Sequence, residues 1–518
     1  MKILKTFIII LLAFVINSSS AQDWVRIYTT NQGDGLGARG VIESYDKGYI
    51  IISDANNYKL GLILKTDING YERWKKGFGA NSYKIIPESI EQTMDLGYVI
   101  AGSMSKYGTS DAYILKLNSC FEKEWCKVLH TYNYYDDYGQ DVKQLPDGGY
   151  VLLTRYYDGI DPGHRINLHK LDQNGELIWQ NNFADNDSLL FGEEGMNLLI
   201  INNIEYLITG YGYYPNPGGT IGYKRPLLIK VDSTGKDNWE TIWGSNDYFY
   251  GKPWYNSIVD NQGGIYNVGY KVDDGTRKPV LFKTNENGQE GYFTILNDTC
   301  YYGEAGTTTW TEDSLIYTQI GWQDSDQIWS WGFFKIDTLG NIIDSKDISV
   351  PLVAVISTVK TFDNKYLSAA IGYNEELNRW EIYAYKLNSD LEYDTIYTAP
   401  FVYDSLCPYQ ITSDTTDLDC DILVLIDDLF VPLEQVQIKI YPNPAKDKIT
   451  VSYPDITHSR QRDVFISNTI GIMVKQVRMA QGDEETEIDV SSFPSGVYFV
   501  AIIENGKRAA GGKFVVAW

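Results

Sequence analysis

An eight-residue word recurs seven times along the chain, and a repeat of this kind limits the fold more tightly than composition does. It reads DKGYIIIS at 46–53, DLGYVIAG at 95–102, DGGYVLLT at 147–154, NIEYLITG at 203–210, QGGIYNVG at 262–269, EDSLIYTQ at 312–319 and DNKYLSAA at 363–370. A second word follows each, centred on Lys65, Lys116, Lys170, Lys230, Lys283, Lys335 and Lys386, at spacings of 51, 54, 60, 53, 52 and 51 residues. Nine residues beyond the first four lysines stand Trp74, Trp125, Trp179 and Trp239, with Tyr292 in the fifth place. Between lysine and tryptophan lie Asp67-Ile68-Asn69-Gly70, Asp172-Gln173-Asn174-Gly175 and Asp232-Ser233-Thr234-Gly235, which supply the positive-φ residue of a tight hairpin. These turns begin like a calcium loop but lack the later carboxylates of an EF-hand.

Each unit reads as four short strands: one before the GY word, the GY word itself, the strand ending in lysine and the strand carrying tryptophan. A unit of this size cannot cover both of its apolar faces alone. Units must pack on one another, and seven of them close a ring without free edges. The expectation is an all-β chain with a seven-bladed β-propeller over 22–397. Gln22-Asp23-Trp24-Val25-Arg26-Ile27 resembles a tryptophan-bearing strand, while the seventh unit has no tryptophan after Lys386. The first strand is therefore expected to complete the last blade. The lysine and tryptophan columns read as structural, marking strand exits and packing between blades.

Apolar residues at 43% against 22% charged exclude wholesale disorder. Acidic residues outnumber Lys plus Arg by 68 to 44, a field that repels nucleic acid and anionic lipid. The N-terminus carries Lys2 and Lys5, an apolar run from Phe7 to Ile16 and then Ser18-Ser19-Ser20-Ala21, the pattern of a signal peptide over 1–21. No Cys follows the expected cleavage point, which argues against a lipid anchor. Among Cys120, Cys126, Cys300, Cys407 and Cys420, sequence proximity suggests Cys120 with Cys126 and Cys407 with Cys420, leaving Cys300 over. The spacings match no zinc pattern.

The blade words resemble the Gly-Gly-Tyr and K-x-D-x-x-G-x-x-x-W repeats of exported propeller-like proteins of the Bacteroidetes, over roughly residues 23–397. The later units depart from them, with Asp344 in the tryptophan place and no glycine in Asn388-Ser389-Asp390-Leu391. A second resemblance lies at the C-terminus. Lys439-Ile440-Tyr441-Pro442-Asn443-Pro444, Phe465-Ile466-Ser467-Asn468 with Gly471, Phe493-Pro494-Ser495-Gly496-Val497-Tyr498 and Lys513-Phe514-Val515-Val516 stand in the order of type A sorting domains of type IX secretion. From the residues alone, 435–518 is an Ig-like β-sandwich, with alternating runs at 438–441, 448–453, 463–467, 472–478 and 497–503. The resemblance implies recognition by the type IX translocon, export across the outer membrane and removal of the domain. The remainder would then be attached to surface lipopolysaccharide or released. Gly496, Tyr498, Lys513, Phe514, Val515 and Val516 are the candidate sorting signal, with sandwich packing as the plain alternative.

Residues 398–434 read as a solvated acidic linker pinned by a disulfide. Its Asp414-Thr415-Thr416-Asp417-Leu418-Asp419-Cys420-Asp421 is oxygen-rich, which leaves calcium open as a ligand although no cofactor is required.

For function, loops of a propeller carry recognition. The words Tyr138-Gly139-Gln140, Phe191-Gly192-Glu193, Tyr250-Gly251-Lys252 and Tyr302-Gly303-Glu304 recur between blades, with Trp254 nearby. The insertion 211–226 adds Tyr213, Tyr214 and Tyr223. Aromatic faces stack on sugars and carboxylates accept their hydroxyls, so Tyr138, Tyr213, Tyr214, Tyr223, Tyr250, Trp254 and Tyr302 are candidate contacts for a glycan or a protein. Packing at blade junctions is the alternative for the repeated word. There is no G-x-S-x-G, H-E-x-x-H, Walker or Rossmann pattern, and His130, His164, His169 and His458 are scattered. A non-catalytic binder is the first reading. The second is a carbohydrate-active enzyme with paired carboxylates in the propeller funnel, for which two carboxylates about 5–10 Å apart among aromatic walls would be the mark.

Overall fold

The computed structural model describes residues 24–517 apart from 30–36, 56–59, 80–83, 106–108, 131–135, 158–163, 184–191, 203, 216–220, 244–249, 274, 327, 349–351, 417, 425–437, 453–461, 469–472, 480–482, 484 and 505–506. Side chains at 130, 214–215, 221–223, 250–256, 273, 352–354, 422–424, 462, 503–504 and 507–510 are also outside the description. The expected signal peptide lies outside the described residues.

Every regular element among the described residues is a strand. The GY words form the second strands of successive antiparallel units. Unit one comprises Gly37–Glu43, Tyr49–Ala55, Leu60–Thr66 and Glu72–Phe78, and unit two Lys84–Gln92, Tyr98–Ser105, Ser110–Leu117 and Lys123–His130. Unit three runs Asp137–Gln144, Tyr150–Tyr157, His164–Leu171 and Leu177–Phe183, and unit four Gly192–Ile201, Glu205–Pro215, Ile221–Val231 and Asp237–Ile242. Units five (Tyr250–Val259, Ile265–Asp273, Thr276–Thr284, Tyr292–Ile295) and six (Tyr302–Trp310, Ile316–Gln323, Trp329–Ile336, Ile342–Ile348) share a sheet through one parallel bridge, Arg277 to Tyr302. The last group joins Leu352–Lys360, Tyr366–Asn374 and Arg379–Leu387 to Val25–Tyr28, the strand from the start of the chain.

The two sequence columns meet across one strand pair. Lys65 stands opposite Trp74, Lys116 opposite Trp125, Lys170 opposite Trp179 and Lys230 opposite Trp239. In the last group Lys386 N donates to Trp24 O at 3.3 Å, so Trp24 fills the seventh tryptophan place from 362 residues away in sequence. Each tryptophan then lies against the next unit's turn. A Cβ built on Gly70 would fall 2.8 Å from Trp24, on Gly175 2.8 Å from Trp125, on Gly235 2.8 Å from Trp179 and on Gly288 2.4 Å from Trp239. These glycines also have φ between +66° and +88°, so the turn needs glycine twice over, for its backbone and for the indole above it. In unit two the place is taken by Phe121, whose ring meets Trp74 at 4.5 Å.

The first strands are linked in turn by hydrogen bonds. Arg39 Nη1 reaches Glu88 Oε1 at 3.5 Å, Ser89 donates to Asp141 at 2.7 Å, and Leu198 N donates to the same carboxylate at 2.9 Å. Ser257 N donates to Asn197 at 3.2 Å, Trp310 Nε1 to Val259 O at 3.0 Å and Thr307 to Thr358 at 2.6 Å. Val41 N donates to Ser357 Oγ at 3.3 Å, which brings the series back to unit one. Apolar clusters fill the spaces between neighbouring units. One of them joins Val41, Ile51 and Leu64 to Leu367, Ala369 and Ile382, at the two ends of the repeat.

The segment after the repeat is not a solvated linker. It runs as a strap over units one and two. Asp414–Thr416 pairs in parallel with Glu72–Phe78, and Asp421–Val424 with Lys123–His130. The physical reason is edge satisfaction: the fourth strands offer unpaired N–H and C=O groups, and the strap takes them. Ile411 and Leu418 of the strap are buried in the core shared by these two units. The disulfides follow that course and correct the sequence-proximity pairing. Cys120 is bonded to Cys407 and Cys126 to Cys420, across 287 and 294 residues, because docking of the strap places its cysteines beside unit two. Cys300 is free and buried. Asp414–Thr416 of the oxygen-rich stretch is a paired strand, and no group of three or more His, Cys, Asp or Glu side chains that could hold a metal ion occurs among the described residues.

The C-terminal region holds a three-stranded sheet (Lys439–Tyr441, Lys448–Ser452, Glu485–Asp489) and a four-stranded one (Met473–Met479, Arg462–Asn468, Gly496–Glu504, Lys507–Val516). Ile449, Val451 and Ile488 of the first share one core with Val464, Ile466, Val500, Ile502 and Phe514 of the second. Glu485–Asp489 and Lys507–Val516 were not anticipated as strands.

Candidate functional site

In each antiparallel unit the start of the first strand, the end of the second and the start of the third lie at one edge. The GY turns and tryptophan hairpins lie at the other. That second edge is occupied by structural ion pairs. The GY-word aspartates accept from the column lysines, Asp46 from Lys65 at 2.6 Å, Asp95 from Lys116 at 2.8 Å and Asp147 from Lys170 at 2.9 Å. The glycine beside each has no room for a side chain: a Cβ on Gly48, Gly97 or Gly149 would come within 2.4, 2.4 and 2.5 Å of a backbone carbonyl.

The first edge carries different chemistry. Tyr138 stands opposite Arg155 in the strand register, and the guanidinium lies 4.5 Å from the ring centroid. Arg155 also pairs with Glu194 of unit four, whose carboxylate accepts from Tyr213 OH at 2.9 Å. Burial works against ionisation of Glu194, but Arg155 and the hydroxyls of Tyr211 and Tyr213 outweigh it and hold the carboxyl below its ordinary range. Lys224 Nζ lies 4.4 Å from the Tyr211 centroid and 5.1 Å from that of Tyr213. In unit five Arg277 is sandwiched by Tyr270 at 3.5 Å and Tyr302 at 4.7 Å and pairs with Glu304. Toward units six and seven the same edge exposes Tyr301 by 54%, Trp329 by 43% and Trp380 by 41%. Trp329 sits 5.7 Å from Tyr302, ring to ring.

Of the sequence candidates, Tyr138, Tyr213 and Tyr302 are half-buried on this edge, each engaged with a charged group. The side chains of Tyr214, Tyr223, Tyr250 and Trp254 lie outside the described residues. The described parts of the insertion that carries Tyr213, Tyr214 and Tyr223 lengthen a hairpin, with Tyr214 opposite Tyr223. Sequence reasoning missed Arg155, Lys224, Arg277, Trp329 and Trp380. Only register across strands would have exposed them, through Tyr138 opposite Arg155 and Tyr213 opposite Lys224.

Where the first strands approach one another lies a cavity of about 160 Å³, lined by Arg39, Glu88, Asp141, Lys143, Asn197 and Ser357 among others, and by no aromatic ring among the described residues. Asp141 is consumed structurally, accepting from Ser89, Val142 N, Lys143, Asn197 and Leu198 N at 2.7–3.2 Å. Burial pushes the Glu88 carboxyl up, against the pull of Arg39 and Arg155.

In the C-terminal region Tyr498, Phe514 and Val516 are core residues. Tyr498 OH donates to Pro494 O at 2.8 Å, and its ring stacks 5.6 Å from Phe514. Gly496, Lys513 and Val515 are exposed, with Val515 opposite the exposed Val497. The six residues thus divide into three that hold the two sheets together and three that a partner can reach.

No curated protein matches the chain. Among solved structures, similarity extends to the β-propeller domain of the Trilobed protease from Pyrococcus furiosus, at 11% identity over 71% of this chain and 100% of that one, TM-score 0.39. It extends likewise to the WD40 domain of coronin from Toxoplasma gondii, at 10% identity over 74% and 87%, TM-score 0.38. A protein of unknown function from Bacteroides caccae aligns at 11% identity over 50% and 81%, TM-score 0.32. Residues 439–517 match the family described as secretion system C-terminal sorting domain. They are such a domain, it engages the type IX secretion machinery, and the chain is cargo exported to the cell surface or the extracellular space.

Proposed function

We propose that residues 22–397 act as a closed seven-bladed β-propeller that binds a glycan or protein ligand, without catalysis, through the edge carrying Tyr138, Tyr213 and Tyr302. The sorting domain, an Ig-like sandwich over 435–518, delivers it. The hydrogen-bonded series of first strands that returns from Ser357 to Val41 supports closure, as does Trp24 in the seventh tryptophan place. The observation that carries the binding reading is the set of large aromatic rings left in water on one edge, Tyr301, Trp329 and Trp380, beside charged groups already fixed in place. Rings held this way offer flat apolar area at little entropic cost, which suits sugar faces. Catalysis is the second reading: among the described residues no aromatic ring lines the cavity between the first strands, and Asp141 is engaged in hydrogen bonds that link units. After export the sorting domain is removed and the remainder is attached to surface lipopolysaccharide or released.

Glycan-array screening of the full exported chain tests the binding reading. Trp329→Ala and Trp380→Ala should each weaken the leading glycan by about tenfold, the scale of losing one stacking ring. Unchanged binding in both variants would place the ligand elsewhere. Deleting residues 436–518 should leave the protein in the periplasm, read by cell fractionation, and surface delivery of the truncated chain would contradict the role given to the C-terminus.

A further inference from the structure

The face described above holds three cations from three successive units: Arg155 of unit three, Lys224 of unit four and Arg277 of unit five. Two have carboxylates, Arg155 with Glu194 and Arg277 with Glu304. Lys224 has only the rings of Tyr211 and Tyr213, and the described residues give its ammonium no ion pair of its own. The two guanidiniums have donors to spare as well. Arg155 Nε and Arg277 Nε are buried with no acceptor among the described residues.

A half-buried ammonium without an acceptor is costly, and so is a buried N–H left unmade. An incoming anion supplies the Lys224 ammonium with both an acceptor and a countercharge. A neutral sugar stacking on the same tyrosines offers hydroxyl acceptors but no countercharge. We propose that this cluster is a receptor for the anionic group of an acidic glycan, a carboxylate or sulfate seated at Lys224 between Arg155 and Arg277, with Tyr138, Tyr213 and Tyr302 flanking the sugar. The inference rests on the binding face proposed above and adds the charge of its ligand. Burial draws the Lys224 ammonium's pKa down, Glu194 resists this, and Arg155 and Arg277 add to the lowering, as expected for a cation waiting beside like charges. The acidic remainder of the chain repels polyanions, so retention of one requires a specific site rather than general adhesion.

The test is affinity electrophoresis of the full exported chain through polygalacturonate, dextran sulfate and dextran, the first two separating carboxylate from sulfate and the third removing charge. At least one acidic polymer should bind about tenfold more tightly than dextran. Lys224→Met, which keeps the packing against Tyr211 and Tyr213, should lose about tenfold, the worth of one charge-assisted contact. Lys224→Arg should restore most of it, with the thermal midpoint unchanged in both variants. Acidic-polymer binding indifferent to Lys224→Met but abolished by Trp329→Ala would overturn the anion site while leaving the binding face standing. Dextran bound as tightly as the acidic polymers would do the same. No retention by any polymer would overturn the anion site, and an array devoid of glycan hits would then remove the glycan reading of the face as well.

Discussion

Units one and two differ from units three to five in what covers them, and the difference divides the molecule's labour. In units one and two the strap pairs with both fourth strands, two disulfides fix it, and Asp404 N donates to Asp46 at 3.1 Å. In unit one that cover buries the Lys65–Asp46 pair, with side chains 0% and 1% exposed, whereas Asp95 of the Lys116–Asp95 pair in unit two stays 54% exposed. The homologous Lys170–Asp147 pair of unit three is 16% and 56% exposed. Units three to five carry no strap among the described residues, and their other edge displays the cation and tyrosine cluster. One repeat word therefore serves two ends. Under cover it becomes a buried cross-link where the two chain ends of the repeat meet, and in the open it leaves a surface that can meet a ligand.

Breaking the strap should have the largest effect. A bridge closing a loop of 287 residues removes about 6 kcal/mol of unfolded-state entropy in the chain-entropy view. The second adds about 3 kcal/mol, since its loop is short once the first has formed. Urea unfolding with and without reductant measures the sum. Non-reducing peptide maps should join Cys120 to Cys407 and Cys126 to Cys420, and a Cys120–Cys126 peptide would refute the docked course of the strap.

Next comes the paired lysine substitution. Lys65→Met strands a buried Asp46 and should cost about 3–5 kcal/mol. Lys170→Met at the exposed pair should cost less than about 1 kcal/mol. Equal losses in denaturant titrations would erase the contrast between covered and open units.

Last comes a pH dependence seated in the open region. Burial holds the His169 imidazole neutral down to about 3, with its Nε2 2.8 Å from Thr154 Oγ1. Its folded pKa is depressed below the ordinary value, so its contribution is complete above about 6.5 and declines as pH falls toward 3. The loss is about 2 kcal/mol by pH 5. His169→Gln should flatten stability against pH across that window, and an unaltered slope would show that another group sets it.

Much of the architecture was legible because its cues are local. Lys65 faces Trp74 across a hairpin whose turn, Asp67 to Gly70, is written in four residues. Trp24 could be matched to the tryptophan strands by its flanking residues, and it pairs where that likeness suggested. The strap was illegible for a physical reason: main-chain pairing by Asp414–Thr416 needs no side-chain pattern, and an acidic stretch reads as solvated. The site was half legible. Tyr138, Tyr213 and Tyr302 stood out as aromatic words, whereas Arg155, Lys224 and Arg277 are ordinary strand residues until register places them beside those rings.

By itself the sequence determined the period, the strand-and-turn grammar of each unit and the sorting domain, since alternation, glycine turns and short motifs act over a few residues. Only the tertiary structure decided which cysteines bond, where the strap lies and which cations share a face with which tyrosines. Those relations join residues tens to hundreds apart in sequence, and what sets them is how the units pack together, which no local pattern encodes.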